Sequence, residues 1–409
     1  MKILLVAEDW PWPVSGGGLM RLAKVIEALG ELGEMDVFTL YDHHREVIVL
    51  PQTVSVERLE LVRYPHAPRE RRWRSAWLTQ RGVPLEVLMR TFDDSPRLSF
   101  EAWAEDSYDL VWFSTAATFV WLGRPRLGPT IVDLMDLEDV KARQRAKLLG
   151  KERRGRAPRG LVRQTVAAAQ AMKNASDWKA IQRSVANEVE RVILCSEADV
   201  RRSGLPNAVS IPNTYARPER SLGRDEVGEP PVVLLQGSLN YTPNMDAVDF
   251  LVEDVAPKLW AKVPGIEIRL VGRPTDGVQT RHRPPAITVV GKVPDMEPEL
   301  ERADLVVVPL RIGSGTRLKI LESFANRIPV VSTTIGADGL DVQDGVHLLI
   351  ADNADDFATA CQRLLQDLQL RKRMVDAAEQ LYLKRYEWSA TKVRLQQLVR
   401  DVAGAFPGA

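Results

Sequence analysis

The sequence predicts an α/β protein made of two Rossmann-like domains, and three observations support this fold class. The chain has 409 residues, more than one hydrophobic core usually holds. Short apolar runs alternate with helix-length amphipathic segments in both halves, as expected for parallel strands joined by helices. Residues 216–231 are rich in proline, glycine and charge, a composition typical of a linker. We therefore predict domains at 1–215 and 232–388, with parallel sheets facing each other across a cleft. A C-terminal helix at 389–409 is a candidate to pack back on the first domain.

The first half shows the alternation less regularly than the second. Its strand-like runs are Ile3–Ala7, Met35–Leu40, Leu110–Phe113, Thr130–Leu134 and Arg191–Cys195. The opening run stops at Glu8 and Asp9, which is too short for a signal-peptide core and typical of a buried first strand. Because no apolar run approaches the roughly 18 residues that cross a bilayer, we expect a cytoplasmic protein, at most peripheral at the inner membrane face.

The second half repeats strand and helix in close succession. Its apolar runs are Val232–Leu235, Ile266–Val271, Ile287–Val290, Leu305–Leu310, Val330–Ser332 and His347–Ile350. The candidate helices between them are Met245–Lys262, Met296–Ala303, Leu318–Arg327, Ala354–Asp367 and Leu370–Leu383. This order predicts a doubly wound parallel sheet. A cleft between two such domains is the usual ligand site of the architecture.

Composition excludes several classes of protein. Lys plus Arg and Asp plus Glu both number 55, so the net charge is zero and gives no reason to expect nucleic acid as a partner. The two cysteines, Cys195 and Cys361, are too few for a disulfide framework. The five histidines show no zinc-like pairing, so we predict no metal.

The segment Pro309–Glu322, which reads PLRIGSGTRLKILE, is the most informative in the chain. It follows an apolar strand, turns through Gly313 and Gly315, and enters a helix near Thr316. Glycines permit close backbone approach, and a helix N-terminus offers unpaired N–H groups to an anion.

Charged side chains extend this pattern. Arg317 and Lys319 add positive charge suited to a diphosphate, and Glu322 could accept hydrogen bonds from two ribose hydroxyls. The alternative is a solvated helix with an Arg/Lys–Glu ion pair.

A second glycine-rich turn, Gly16–Gly18, follows the first strand. It is either a tight turn only or a place where backbone N–H groups approach a phosphate or a sugar. Neither GxxxxGK[ST] nor GxGxxG occurs in the chain, which argues against a Walker loop and against NAD or FAD.

The second half resembles the retaining glycosyltransferases of family four, which have the GT-B fold and include bacterial sugar transferases of polysaccharide and secondary-metabolite clusters. The segments that match are Gln236–Ala247, Leu270–Arg273, Val290–Asp295, Ala303–Leu310, Gly313–Glu322, Pro329–Ser332 and Gly336–Leu340. The first half matches at the opening strand, at its glycine-rich turn and at Ile211–Asn213.

The resemblance implies a nucleotide diphosphate sugar held by the second domain and an acceptor hydroxyl held by the first. Glu322 matches the second Glu of the family's E-x7-E motif, which contacts the ribose. The residues expected to act in catalysis are Arg317, Lys319 and Asp136. Those expected to bind the donor are Gly17, Gly18, Ser238, Asn240, Val293, Ser314, Gly315, Thr316, Glu322, Ala337, Asp338 and Gly339. No cofactor is expected, because the nucleotide sugar is itself the donor substrate.

Three departures from the family pattern concern the site. Ser314 replaces the first Glu of E-x7-E, and the Arg and Lys that many relatives carry after the first strand of this domain are absent from Gly237–Asn244. Met135 stands where relatives have a His. Asp136 beside it either hydrogen-bonds an acceptor hydroxyl or caps a helix.

Two basic stretches concern the acceptor. Residues 141–163 contain ten Lys or Arg and one acid, and residues 69–81 contain five Arg with Trp73 and Trp77. They are either solvated charge or a surface for an anionic acceptor, a lipid phosphate or an anionic membrane. The acceptor is a small molecule, a glycan or a lipid-linked molecule.

The predicted activity is hexosyl transfer with retention of configuration. The alternatives are a sugar-nucleotide epimerase or hydrolase of the same fold, and a catalytically silent nucleotide-sugar-binding partner of another transferase.

Overall fold

The computed structural model describes residues 1–14, 16–41, 49, 51, 54–63, 77–91, 93–151, 158–313 and 315–405. The chain forms two compact units. The first unit comprises Met1–Ile211 together with Lys392–Ala409, and the second comprises Pro212–Thr391. Within the described residues, no helix is long and apolar enough to span a membrane.

The first unit is built on a seven-stranded sheet of order β3-β2-β1-β4-β5-β6-β7, in which each neighbouring pair is parallel. Its strands are β1 (Lys2–Ala7), β2 (Glu34–Tyr41), β3 (Arg58–Arg63), β4 (Leu110–Phe113), β5 (Thr130–Met135), β6 (Arg191–Leu194) and β7 (Ala208–Ser210). The central strands are apolar and buried along their length, since helices cover both faces of such a sheet.

Helices of the first unit connect these strands. They are α1 (Gly17–Gly30), α2 (Leu85–Arg90), α3 (Ser95–Trp103), α4 (Ala116–Trp121), α5 (Glu138–Lys151), α6 (Pro158–Ala186) and α7 (Glu197–Ser203). The caps follow from the sequence: Thr115 and Ser196 accept hydrogen bonds from the backbone N–H groups of Thr118 and Asp199, which begins α4 and α7.

The second unit contains a six-stranded parallel sheet of order β10-β9-β8-β11-β12-β13. Its strands are β8 (Val232–Gln236), β9 (Glu267–Val271), β10 (Ile287–Gly291), β11 (Leu305–Val308), β12 (Val330–Ser332) and β13 (Leu349–Ile350). All five residues of β8 and all four of β11 are buried at the centre of this sheet.

Helices of the second unit enclose one hydrophobic core with this sheet. They are α8 (Thr242–Asp249), α9 (Ala256–Lys262), α10 (Asp276–Gln279), α11 (Glu297–Arg302), α12 (Leu318–Ala325), α13 (Thr334–Ala337), α14 (Ala354–Gln366) and α15 (Leu368–Arg385). A last helix, α16 (Trp388–Gly404), contributes its residues from Lys392 onward to the first unit.

Several predicted elements differ from those observed. The single helix predicted at Met245–Lys262 is α8 and α9 joined by a π-helical turn, Phe250–Val255. Strands β3 and β7 were not predicted, since β3 alternates charged and apolar residues at the sheet edge and β7 has only three residues.

Residues 216–231, predicted to be a linker, pack on the second unit. Leu222 is buried in its core, the Gly223 N–H donates to the Asn326 carbonyl at 2.7 Å, and Arg224 pairs with the buried carboxylate of Asp304 at 3.0 Å. Composition alone therefore did not distinguish a free linker from an extended segment held by side-chain contacts.

Candidate active site

The candidate site lies at the carboxyl edge of the second sheet, where the loops that follow β8 and β11 are neighbours. Strand β8 is flanked by β9 on one side and by β11 on the other, so the strand order reverses at this point. Loops diverge at such a reversal and leave a crevice that commonly binds ligands in open α/β sheets.

The loop from β11 to α12 turns through two glycines with positive φ, Gly313 at 148° and Gly315 at 78°. Helix α12 begins at Leu318, where the candidate helix Leu318–Arg327 was predicted to begin and two residues after Thr316. Arg317 precedes it, and a Cβ on Gly313 would lie 2.3 Å from the Arg317 Nη2 atom. The positive φ favours glycine at position 313, and the missing Cβ leaves room for the guanidinium next to the N-terminus of a helix.

Lys319, in the first turn of α12, points toward the end of β8. Its Nζ atom donates to Asn244 Oδ1 at 3.0 Å, and Asn244 Nδ2 donates to the Ser238 carbonyl at 2.9 Å. A Cβ on Gly237 would be 3.2 Å from Nζ. Burial, with a contribution from Arg317, lowers the pKa of Lys319 to about 7, while Glu322 acts in the opposite direction.

Glu322 lies one turn further along α12, and two side chains hold its carboxylate. The Tyr215 hydroxyl donates to Oε1 at 2.9 Å, and Gln236 Nε2 donates to Oε2 at 2.7 Å. Burial raises the pKa of Glu322, although these two hydrogen bonds and Lys319 oppose the rise. In the part of the chain that the structure describes, neither Lys319 nor Glu322 belongs to a salt bridge, so the solvated ion pair between them does not form.

The segment after β12 reaches the same edge of the sheet. Thr333 caps α13 by accepting from the Gly336 N–H at 2.9 Å. A Cβ on Gly336 would lie 2.4 Å from the Val308 carbonyl oxygen, so glycine allows the helix to approach the sheet closely. This places Ala337, Asp338 and Gly339 just past the end of β12.

The remaining donor candidates in the second unit follow its strands. Ser238 and Asn240 are exposed in the loop after β8, Val293 is half-buried after β10, and Thr316 is buried beside Gly315. Ser314 lies outside the described residues. The structure therefore brings most of the predicted donor residues to one edge of the second sheet.

Three candidates belong to the first unit. Gly17 and Gly18 are the exposed first residues of α1, and Asp136 follows β5, where Met135 has a φ of 54°. Asp136 Oδ2 pairs with Lys141 Nζ at 2.7 Å.

A buried ion pair links the two segments of the first unit that contain these candidates. Arg21 of α1 contacts Asp133 of β5 through Nε at 2.7 Å and Nη2 at 3.1 Å, and donates through Nη1 to the Ile211 carbonyl at 2.9 Å. Both side chains are almost fully buried. This pair fixes α1 against the carboxyl end of β5.

Sequence reasoning missed the residues that position Lys319 and Glu322. These are Asn244, Gln236 and Tyr215. Gln236 offered a usable signal, since it is a polar residue that ends an apolar strand. Tyr215 offered none, because it is 107 residues distant from Glu322 in the chain. Among the described residues, no group of three or more His, Cys, Asp or Glu side chains could hold a metal ion.

The second unit contains a segment that is similar to known proteins. Residues 230–367 match the family model described as "Glycosyl transferases group 1". A phosphatidyl-myo-inositol mannosyltransferase of Mycolicibacterium smegmatis is 30% identical over 159 residues, 36% of this chain and 40% of that protein. An uncharacterized 44.6 kDa protein in the cps region of Klebsiella pneumoniae is 26% identical over 135 residues, 31% of this chain and 35% of that protein. The matches thus span less than half of the length of these curated relatives.

Solved structures match over nearly the whole chain. Sucrose-phosphate synthase from Thermosynechococcus elongatus has a TM-score of 0.68 at 16% identity and covers 99% of this chain and 100% of its own. Anabaena HepE in complex with UDP and glucose has a TM-score of 0.61 at 14% identity, covering 98% and 100%. Sequence identities this low show that the fold is shared and nothing more.

Two parallel sheets with a match over nearly the whole chain show the GT-B fold, and the predicted fold is confirmed. Residues 230–367 match the family model of the group 1 glycosyltransferases. This match confirms the resemblance found in the sequence, and it includes Lys319, Glu322 and the segments around them.

Proposed function

We propose that the chain transfers a hexosyl group from a nucleotide diphosphate sugar to an acceptor hydroxyl, without a metal ion. The observation that most favours this function is the pair of Lys319 and Glu322 on one helix, each held by separate partners at the strand reversal. A cation and a carboxylate one turn apart suit the diphosphate and the ribose of one nucleotide.

Lys319, Arg317 and the N-terminus of α12 provide the positive charge for the diphosphate. Charge that develops on the leaving phosphate during transfer is stabilised most by groups that are already oriented toward it. The hydrogen bond from Lys319 to Asn244 orients the ammonium in this way. Tyr215 and Gln236 orient Glu322, and each carboxylate oxygen keeps a lone pair for a ribose hydroxyl.

The chemistry proposed for transfer needs little from the protein beyond positioning. The leaving phosphate accepts the proton of the acceptor hydroxyl while the sugar passes through an oxocarbenium-like state on one face, with retention. Binding both substrates in the reacting geometry lowers the barrier by removing the entropic cost of their encounter. Asp136 is the proposed hydrogen-bond acceptor for the incoming hydroxyl.

The acceptor is proposed to be held by the first unit. One relative is named a phosphatidyl-myo-inositol mannosyltransferase, which favours a lipid-linked acceptor over a free sugar. The stretches 69–81 and 141–163 are basic and are proposed to contact an anionic membrane surface. Residues 69–76 and 152–157 of these stretches lie outside the described residues.

Thermal shifts with UDP, GDP, dTDP and ADP, and with their common sugar conjugates, test the donor site. A ligand at 100 times its Kd stabilises the native state by about 2.7 kcal/mol, which moves Tm by several degrees. We expect one base to give a clear shift that Lys319→Ala and Glu322→Ala abolish. Lys384→Ala, an exposed cation on α15, is the matched control and keeps the shift.

Turnover tests the role of Lys319 in the chemical step. We expect Lys319→Ala to lower kcat at least tenfold with the nucleotide sugar that gives the shift, and Lys384→Ala to leave it unchanged. If no nucleotide shifts Tm, the transferase proposal fails. If nucleotide binds but no sugar is transferred across a broad acceptor panel, the chain is a binding partner of another transferase. Nucleotide release that needs no acceptor identifies an epimerase or hydrolase.

A further inference from the structure

A cavity of about 270 Å³ opens between α5, α6 and α7 in the first unit. Leu137, Leu205 and the amide of Gln182 line its buried part. The cavity is smaller than the 300 to 1,000 Å³ usual for drug-sized ligands, so its size suits a small molecule and not a nucleotide sugar. It involves neither Lys319 nor Glu322.

Five cationic side chains surround this cavity, whereas the one carboxylate among the lining residues is Asp139. Arg143 and Lys147 follow Asp139 at intervals of four residues on α5, which places all three on one face of the helix. Lys179 and Arg183 are four residues apart on α6, and Arg202 is on α7. Three separate elements thus direct positive charge to one place.

Only part of this charge is neutralised within the protein. Arg143 pairs with Asp139 at 2.9 Å, and Arg202 pairs with the buried carboxylate of Asp199 at 2.6 Å. Lys147, Lys179 and Arg183 form no salt bridge with any residue that the structure describes. Like charges gathered around a cavity repel one another, and a bound anion removes that repulsion.

Gln182 is the second observation that indicates a ligand. Its side chain is 5% exposed and lines the cavity. Across the described ranges, its amide has no hydrogen-bond partner. The amide atoms stay accessible to solvent from the cavity, so Gln182 Nε2 can donate a hydrogen bond to a ligand oxygen there.

We propose that this cavity binds a phosphate monoester, either a soluble sugar- or polyol-phosphate or the headgroup of a phospholipid. A phosphate monoester has a charge of about −1.5 to −2 at pH 7 and three acceptor oxygens, which matches three unneutralised cations and one amide better than a single carboxylate does. Arg183 supplies a planar fork that can contact two phosphate oxygens at once. This inference does not rest on the proposed transfer reaction, because the site uses neither Lys319 nor Glu322. Its residues Arg143 and Lys147 belong to the stretch 141–163 that is proposed to contact a membrane.

Titration calorimetry at low salt, in phosphate-free buffer, tests the site with inorganic phosphate and glycerol 3-phosphate. We expect Lys179→Ala with Arg183→Ala to weaken binding at least tenfold. Arg145→Ala on α5 and Arg201→Ala on α7 are the matched controls, since both cations are exposed and neither lines the cavity. They should change the affinity by less than twofold.

Two further experiments are needed. One distinguishes a lipid phosphate from a soluble phosphate ester, and the other excludes phosphate binding at the donor site. Sedimentation with phosphatidylcholine vesicles, with and without phosphatidic acid, distinguishes a lipid headgroup from a soluble ester, and the same variants must weaken whichever binding is seen. Repeating calorimetry in Lys319→Ala removes any phosphate bound at the donor site. Gln182→Met should keep the fold and lower the affinity for phosphate. Equal losses in the control variants, or no binding by either probe, would overturn the proposal.

Discussion

Lys319 shows how one residue can link donor binding to pH. Its ammonium donates to Asn244 and lies close to Gly237. Burial and the charge of Arg317 lower the pKa of Lys319 to about 7, and Glu322 opposes this change. A diphosphate attracts only the protonated form. Nucleotide affinity should therefore be highest below pH 7 and should fall as the pH rises above it. Calorimetry between pH 6 and 9 measures this, and Lys319→Met should remove the dependence.

The lowered pKa of Lys319 also makes the stability of the nucleotide-free protein depend on pH, but here stability rises with pH whereas nucleotide affinity falls. An unfolded Lys keeps its pKa of 10.5, so between about pH 7 and 10.5 the unfolded chain binds more protons and stability rises with pH. Below pH 7 the full cost of burying the charge remains. Lys319→Met should therefore stabilise the free protein at pH 6 by on the order of 2 kcal/mol, and by little at pH 10. A urea titration that gives the same gain at both pH values would contradict this.

Tyr215 is a second residue whose role is open to a direct test. Tyr215→Phe leaves Oε1 of the buried Glu322 without its donor, which should cost about 1 to 3 kcal/mol of unfolding free energy. Tyr241→Phe is the control, since Tyr241 is 49% exposed, and it should change stability by less than about 0.5 kcal/mol. Urea denaturation measures both. Equal effects would mean that the hydroxyl of Tyr215 does not support the carboxylate.

At the scale of elements, α13 depends on its close approach to the second sheet. A Cβ on Gly336 would meet Ser332 Oγ at 2.3 Å and the Val308 carbonyl oxygen at 2.4 Å. Gly336→Ala should force α13 away from β11 and β12 and lower Tm. We propose that Ala337–Gly339 contact the sugar of the donor, so binding of the nucleotide sugar should weaken more than binding of the free nucleotide. Gly277→Ala on α10, with Thr275 Oγ1 at 3.9 Å as its nearest atom, should affect neither. Thermal shifts with the nucleotide sugar and with the free nucleotide measure both effects in the two variants.

At the scale of the whole molecule, the chain ends in the unit where it begins. Helix α16 buries Leu395, Val399 and Val402, and its Gln396 donates to the Ala28 carbonyl of α1 at 3.0 Å. The C-terminal segment thus belongs to the core of the first unit, although the second unit lies between this segment and the rest of the first unit in the sequence.

A single substitution at Val399 tests whether α16 packs in the core of the first unit. Val399→Ala should destabilise the first unit by about 2 kcal/mol, because the side chain is fully buried. Val393→Ala, at a position 64% exposed on the same helix, should have almost no effect. Hydrogen exchange in α1 reports on the first unit directly. Faster exchange confined to the second unit would contradict the assignment of α16.

The sequence alone determined the features that depend on local pattern. Buried strands show as unbroken apolar runs, so the α/β class and most of the strands could be predicted. The glycine-rich turn before α12 made Lys319, Arg317 and Glu322 candidates for a site. Edge strand β3 was not predicted because it lacks the unbroken apolar run of a buried strand. The π-helical turn between α8 and α9 was not predicted because Phe250–Val255 contains no proline or glycine that marks it.

The tertiary structure alone decided which side chains position these groups. Asn244 is 75 residues from Lys319, while Gln236 and Tyr215 are 86 and 107 residues from Glu322. The cavity between α5, α6 and α7 likewise gathers cations from three separate segments. Local sequence sets helix period and turn geometry, whereas contacts at such separations arise only when strands of fixed order bring distant residues to one edge of a sheet.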